Sequence, residues 1–512
     1  MIGQTYKSRL KNSRRNVFFG LFRQLAAIIL TFAIRTVIIF TLGADYQGLS
    51  GLFTSILHAL NLSELGFSAA VTFVLYKPIA EDDWETVCAI LAFLKKVYRI
   101  IGLVILLAGI IIMPFVPLLI KGDYPQDINI YVLYFLYLIN SVITYLVFAD
   151  KNTFLTAMQR NDLVSKAYAI TDIIGKSLQI LVLILFKNYY VCVLMLLLTS
   201  VANNFLTEYF SRKAYPQIAA SGVISGETKD ELIKNVKAVF LNKIGDVARN
   251  SFDNVVISAF LGLTAVTVYE NYYLIYASLY GIMGIIVHAV RASVGNSLVR
   301  DGVDKNYKDM LSFSFIFMWI VGWFSVCMLV LYQPFMYIWM KHRDSLMLGF
   351  WDMLLFCLYF YSISMAYTKN VYLEAKGLFH ESRHLYILEA VGNLVLNIVL
   401  GYLFGITGIL LATIFTIFVF NFACGTGVLF RHYFKRSTIE FSLHHLFYFT
   451  VTVVAGLITY NVANLISVTG IPGLIMKAFI CLIVPNIVFI TAYFKWPEFA
   501  SIKRMMGMIG KR

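Results

Sequence analysis

Residues 242–254 read Asn-Lys-Ile-Gly-Asp-Val-Ala-Arg-Asn-Ser-Phe-Asp-Asn, inside a stretch apolar and long enough to cross a bilayer. Asn242, Asp246, Arg249, Asn250, Asp253 and Asn254 recur at helical spacing and share one face, with Lys243 beside them. Lipid satisfies none of these groups. An ionisable side chain at the centre of a span costs about 2.5–3.5 kcal/mol unless it faces a bundle interior or a water-filled cavity. The stripe therefore implies a polar chamber and marks part of its wall. Further cations stand at membrane depth: Arg23 and Arg35 in the first apolar segment, and Arg291 at the inner mouth of the eighth. Guanidinium matches phosphate oxygens in a bidentate fork, so a chamber lined by Arg23, Arg35, Lys243, Arg249 and Arg291 suits an anionic cargo such as a diphosphate. Each Arg can instead pair with a carboxylate and simply hold helices together. Arg249 has Asp246 and Asp253 one turn away on its own helix.

A second constellation is Glu389, Asn393 and Asn397 at i, i+4 and i+8, with Thr413 and Thr416 on the next apolar segment. Carboxylate and amide oxygens suit a monovalent cation, so Asp246, Glu389 and Asn393 are candidate ion-coupling groups for Na+ or H+. The same residues can also serve as hydrogen bonds between neighbouring helices. The eighth segment carries Glu270-Asn271-Tyr272-Tyr273, Tyr276, Tyr280 and His288. Its tyrosines, Tyr273 among them, can stack on sugar rings, line a wet wall or sit at an interface. Asn250 and Glu64 complete the candidate substrate contacts. Asp172 and Lys176 form an i, i+4 pair with a structural look.

These groups need helices to carry them. The chain has 512 residues, 60% hydrophobic and 14% charged. Mean hydropathy is +0.76. That composition makes an all-α polytopic membrane protein. Continuous rather than alternating apolar runs argue against a β-barrel. Hydropathy and the ~20-residue length of a spanning helix predict about fourteen spans. They fall near 16–42, 49–76, 97–120, 128–149, 167–186, 189–210, 236–261, 264–290, 308–332, 346–368, 384–404, 408–430, 443–465 and 471–493. With the N-terminus inside, the inner segments hold about 32 Lys and Arg and the outer loops about 4. The net charge of +14 is then orientation rather than a nucleic-acid footprint, and both termini come out cytoplasmic. The basic N-terminal run reads as the flank of a retained helix, not a signal peptide. Six scattered cysteines read as buried thiols. The tail after Lys495 reads as an interfacial amphipathic helix or a frayed basic end. No P-loop sequence occurs, and no outer loop is long enough for an enzyme domain.

The chain repeats itself. Lys151-Asn152-Thr153-Phe154-Leu155-Thr156-Ala157 answers to Lys369-Asn370-Val371-Tyr372-Leu373-Glu374-Ala375 at an offset of 218. The same offset pairs Tyr168 with Tyr386, Gln179 with Asn397, and Arg35 with Asp253. As repeat equivalents, Arg35 and Asp253 are expected at one height, as a gate latch. Six spans per repeat keep the halves parallel about an axis along the membrane normal. The expected organisation is a six-helix lobe over 1–215, a linker over 216–235, a second six-helix lobe over 236–430, and two added helices with a basic tail over 431–512.

The stretches Leu42 to Leu49, Leu62 to Phe67 and Lys243 to Leu263 resemble the polysaccharide flippases of the multidrug/oligosaccharidyl-lipid/polysaccharide exporter superfamily, the O-antigen and capsule repeat-unit type. The resemblance spans nearly the whole chain. It implies a V-shaped pair of six-helix lobes that alternate between inward- and outward-facing states. The implied cargo is an undecaprenyl-diphosphate-linked oligosaccharide, moved across the cytoplasmic membrane for surface polysaccharide biosynthesis. The implied cavity cations are Arg23, Arg35, Lys243 and Arg249, and carboxylates stand among them. No cofactor is implied beyond a possible Na+ or H+. The partners implied are membrane lipids and polysaccharide assembly enzymes, beside which the protein works as a monomer.

The alternative readings are a multidrug/cation antiporter, which needs a net acidic chamber, and a peptidoglycan-precursor lipid flippase of the same superfamily. A membrane glycosyltransferase is a third class. It needs an Asp-x-Asp on a soluble segment, and the only off-membrane Asp clusters are Asp82-Asp83 and Asp301/Asp304.

Overall fold

The computed structural model describes residues 6–61, 67–341 and 343–499. Within them the side chains of 6–18, 237–251 and a few scattered positions fall outside the description. Every regular element among the described residues is helical. Lipid dictates this, because a helix satisfies its own backbone where water is absent. Large apolar side chains point outward, as Leu103, Leu107 and Ile111 do on one helix and Phe479, Leu482 and Ile483 on another. A polar solvent would penalise those faces; a bilayer does not.

The chain packs as two compact units, Met1–Thr267 and Val268–Arg512. The first holds α1 (Tyr6–Thr41), α2 (Ala44–Leu60), α3 (Phe67–Ala80), α4 (Trp84–Ile112), α5 (Ile130–Leu146), α6 (Ala149–Ala157), α7 (Asn161–Phe186), α8 (Tyr189–Ala214) and α9 (Gly226–Leu261). The second holds most of α10 (Leu263–Arg300), then α11 (Val303–Trp339), α12 (Phe350–Met365), α13 (Tyr367–Ala375) and α14 (Phe379–Thr416). After α14 come a π-helical stretch (Ile417–Cys424), α15 (Gly425–Leu429), a second π stretch (Phe430–Phe434), α16 (Ile439–Asn464) and α17 (Gly470–Tyr493).

Nine helical stretches among the described residues are long and apolar enough to cross a membrane unaided. One of them, Phe379–Phe434, has 56 residues, about 84 Å at 1.5 Å per residue, far more than a bilayer's ~30 Å. It is two spans. The break falls at Gly405, whose φ of 62° and ψ of −137° are non-helical. The reversal is so tight that a Cβ on Gly408 would collide with the Leu400 carbonyl. α5, the α2–α3 pair, and the charged α9 and α10 complete the fourteen.

Several predicted bounds shift. The span near 49–76 is two helices, α2 and α3. The span near 97–120 begins earlier, at Trp84, where Asp83 accepts a hydrogen bond from the Thr86 amide at 3.0 Å and caps α4. The Thr86 hydroxyl and amide hold the Asp83 carboxyl below the usual carboxylate range. The chain after α5 bends by 48° into the short α6, an elbow that hydropathy alone missed. The amphipathic tail lies, from residue 500 onward, outside the described residues.

The offset of 218 runs through the element order. It carries α6 (149–157) onto α13 (367–375) with identical bounds, and α7 (161–186) onto the first arm of α14 (379–404). The repeat and the packing divide the chain differently, since α9 opens the second repeat yet packs with α2 and α3. At that contact Gly48 of α2 meets the start of α10, where an added Cβ would overlap the Leu263 carbonyl. Backbone cannot yield as a side-chain tip can. Gly48→Val is therefore expected to destabilise the protein by about 1–3 kcal/mol or prevent folding. Gly20→Ala, with nothing within 4 Å of the new Cβ, is expected to be neutral. Thermal melts of the two purified variants in detergent test this; equal melting temperatures refute the close approach.

Candidate functional site

In the first unit α1 lies along α7. Arg23 is exposed, and its guanidinium sits over the Tyr168 ring, 4.4 Å from the centroid. An exposed guanidinium in a cation–π contact still has N–H donors to offer an acceptor. No carboxylate among the described residues lies within ion-pair distance of Arg23, which is what an anion site requires. Further along the same seam, Lys176 pairs with Asp172 at 2.9 Å and donates to the Thr31 hydroxyl at 3.1 Å. The Asp172–Lys176 pair is thus a structural bridge that ties α7 to α1. Arg35 is half-buried and engaged with its neighbours.

The stripe on α9 is only partly in view. Asp253 is buried, and Asn254 donates to the Ser55 hydroxyl of α2 at 2.9 Å, so the end of the stripe helps to seat α9 on α2. The side chains of Lys243, Asp246, Arg249 and Asn250, and all of Glu64, lie outside the described residues.

In the second unit the tyrosines of α10 form a ladder. Tyr273 stands between Tyr269 (6.0 Å, rings 17° apart) and Tyr276 (5.1 Å). Tyr276 stacks on Tyr359 of α12 at 4.4 Å, and Tyr280 on Tyr367 of α13 at 5.1 Å. Offset stacks of this kind contribute about 0.5–1.5 kcal/mol each beyond area burial, so the ladder stiffens α10 against α12. Tyr273 and Tyr280 stay half-buried, with part of each ring accessible. Arg291 is bonded to Glu374 at 2.8 Å with both side chains substantially exposed. Such a pair contributes about 0–1 kcal/mol, so Arg291 remains exchangeable for a stronger anion.

The buried polar core of this unit gathers around α14. Val391, Val395, Ile398 and Tyr402 are exposed, while Glu389, Asn393 and Asn397 are buried on the opposite side. Asn393 donates to the hydroxyls of Thr413 (3.1 Å) and Thr416 (3.4 Å), and Asn397 donates to the Asn393 oxygen at 3.2 Å. Asn421, in the π stretch, donates to Glu389 Oε2 at 3.1 Å and accepts from Asn370 at 3.4 Å. Wide π turns recur at functional sites. The grouping of Glu389, Asn393, Asn397, Thr413 and Thr416 is the one read from the sequence. Asn421 and Lys369 were not foreseen there.

Lys369 of α13 is 2% exposed, and its ammonium lies against Gly425, facing the charges of Glu389 and Glu374. Its repeat counterpart, Lys151 of α6, is also buried, 3.6 Å from Glu208 and 3.8 Å from Asp150. The repeated Lys-Asn-x-x-Leu-x-Ala motif was the available signal. A lysine at a span's end reads by default as a solvated charge, so burial was not inferred. Among the described residues no three His, Cys, Asp or Glu side chains gather as a metal site.

No family model matches the chain, and no curated protein matches it by sequence. Solved structures do match in shape. The lipid II flippase MurJ, in an inward closed conformation, aligns with a TM-score of 0.67 at 15% identity over 93% of this chain and 99% of that one. An inward-facing multidrug resistance MATE family transporter of the MOP superfamily aligns at 0.60 and 15% identity, over 80% and 97%. A MOP superfamily transporter from Pyrococcus furiosus, described by a binding pocket of reversed polarity, aligns at 0.57 and 12%, over 83% and 97%. The chain is a multi-pass membrane protein with the fold that MurJ and the MATE transporters of the MOP superfamily share.

Proposed function

We propose that the protein is a flippase for a lipid-diphosphate-linked oligosaccharide, of the kind used in surface polysaccharide biosynthesis. It would work in the cytoplasmic membrane with both termini inside, by alternating access and without covalent chemistry. The observation that carries this reading is Arg23, an exposed cation in an apolar span that lies over the Tyr168 ring and has no carboxylate within ion-pair distance among the described residues. A diphosphate is the acceptor that geometry fits, with Arg35, Lys243, Arg249 and Arg291 as further anion contacts. Tyr273 offers an amphipathic ring to the sugar; Asn250 and Glu64 offer polar contacts. Asp253 is the partner we assign to Arg35 in a gate.

Arg23→Ala removes one charge-assisted pair, about 1.5–3 kcal/mol, and is expected to cut export of the polymer at least tenfold. Arg23→Lys keeps the charge but not the fork and is expected to fall between. Arg35→Ala and Lys243→Ala are expected to lose display as well. The measurement is surface polysaccharide in the native host, with membrane levels of each variant checked by blotting. Full display by all three alanine variants sinks the basic-site reading.

A second reading, an exporter of organic cations, draws on the buried Glu389 and the tyrosine ladder. Resistance assays in an exporter-deficient strain separate it from the first, and cell lysis on depletion would mark a peptidoglycan-precursor flippase instead.

Coupling to Na+ or H+ is assigned to Glu389 and Asn393, with Asp246 as a contributor from α9. Glu389 is buried and accepts from Asn421 within a polar network, the setting in which a carboxylate can bind or release a cation. Glu389→Gln keeps the shape and removes the charge. It is expected to abolish ion-driven transport in proteoliposomes while leaving the melting temperature within a few degrees. Unchanged transport under an imposed gradient removes Glu389 from the coupling path.

A further inference from the structure

A pocket of about 590 Å³ opens in the second unit, between the C-terminal ends of α11 and α16 and the N-terminal ends of α12 and α17. Its walls are unlike the polar core described above. Leu329 and Phe350 contribute apolar lining, and Tyr337, Tyr460 and Asn464 contribute hydroxyl and amide groups. Lys477 enters from α17. It is the only charged residue of α17, whose other positions are almost all apolar. It lies seven residues into that helix, about 10 Å from its first residue. Among the described residues Lys477 has no hydrogen bond and no ion pair. Asp344 lines the same pocket but is not within ion-pair distance of it.

A lysine at that depth does not stay among acyl chains. A lysine so placed is expected to lay its stem along apolar surface and to reach with its ammonium toward the headgroups. The aromatic side chains mark the level it reaches. Tyr337, Phe350 and the neighbouring Trp351 are all exposed at this end, as expected of an interfacial belt. Phe350 and Tyr460 are in contact, with ring centroids 6.0 Å apart, so that part of the lining is built rather than loose.

We propose that this pocket binds a membrane phospholipid, with the phosphate held by Lys477 and an acyl chain lying along Leu329 and Phe350. The pieces match an anionic amphiphile: a cation with no protein partner among the described residues, hydroxyl and amide groups, and apolar lining. The site is separate from the residues assigned to the transported cargo, and the inference holds whatever that cargo is.

Native mass spectrometry of the full-length protein, titrated with phosphatidylglycerol, tests it. The wild-type protein is expected to retain a bound lipid. Lys477→Met is expected to weaken retention about tenfold, the loss of one charge-assisted contact, and Lys477→Arg to preserve it. If Lys477→Met does not fold, Leu329→Trp, which fills the pocket from its wall, serves instead and should also lose the lipid. Retention equal to wild type in folded Lys477→Met or Leu329→Trp overturns the proposal. So does displacement of phosphatidylglycerol by equimolar undecaprenyl phosphate, which would give the pocket to the carrier lipid. Polysaccharide export is read separately, so loss of lipid retention with export intact supports this site independently of the transport reading.

Discussion

Everything in this molecule follows from a solvent that accepts no hydrogen bonds. The backbone must be helical because lipid leaves it no other partner. Polar side chains must turn inward for the same reason, and α14 shows the result on one helix. Its lipid side is Val391, Val395, Ile398 and Tyr402, while Glu389, Asn393 and Asn397 are buried and linked to Thr413, Thr416 and Asn421. Water-soluble proteins bury oil and expose charge. Here the core is apolar too, but the outer faces are apolar as well, so polar groups within the spans are buried together with their partners.

The charges of the helices come in two forms. Some charges are matched and structural. Lys176 bridges Asp172 and Thr31, and Lys151 lies between Asp150 and Glu208. Others are held in place by contacts that leave their charge available. The guanidinium of Arg23 lies over the Tyr168 ring, and Arg291 holds Glu374 at an exposed position. The first kind fixes helices against one another. The second kind can exchange its partner for a ligand.

Much of this was legible in the sequence. Fourteen apolar runs, a repeat at 218 residues and the i, i+4 spacing of Glu389, Asn393 and Asn397 are one-dimensional signals with a direct physical meaning. What the chain did not disclose has a physical reason in each case. The elbow at α6 is a change of direction within apolar sequence, to which hydropathy is blind. Asn421 became a partner of Glu389 only through π turns, which no residue spacing announces. Lys369 sits where loop lysines normally face water, and only packing against Gly425 shows it buried.

The wide turns between Ile417 and Phe434 have a mechanical corollary. A π turn holds one more residue than the α turn it replaces, so it is a stored slippage of the helix past its own hydrogen bonds. Tightening it by one residue would twist the downstream segment by about 100° and draw it up by about 1.5 Å. Asn421 lies within that segment and bonds both Asn370 of α13 and Glu389 of α14. A change of pitch there would move the one side chain that clasps α13 to α14, so the wide turns and the clasp are mechanically linked.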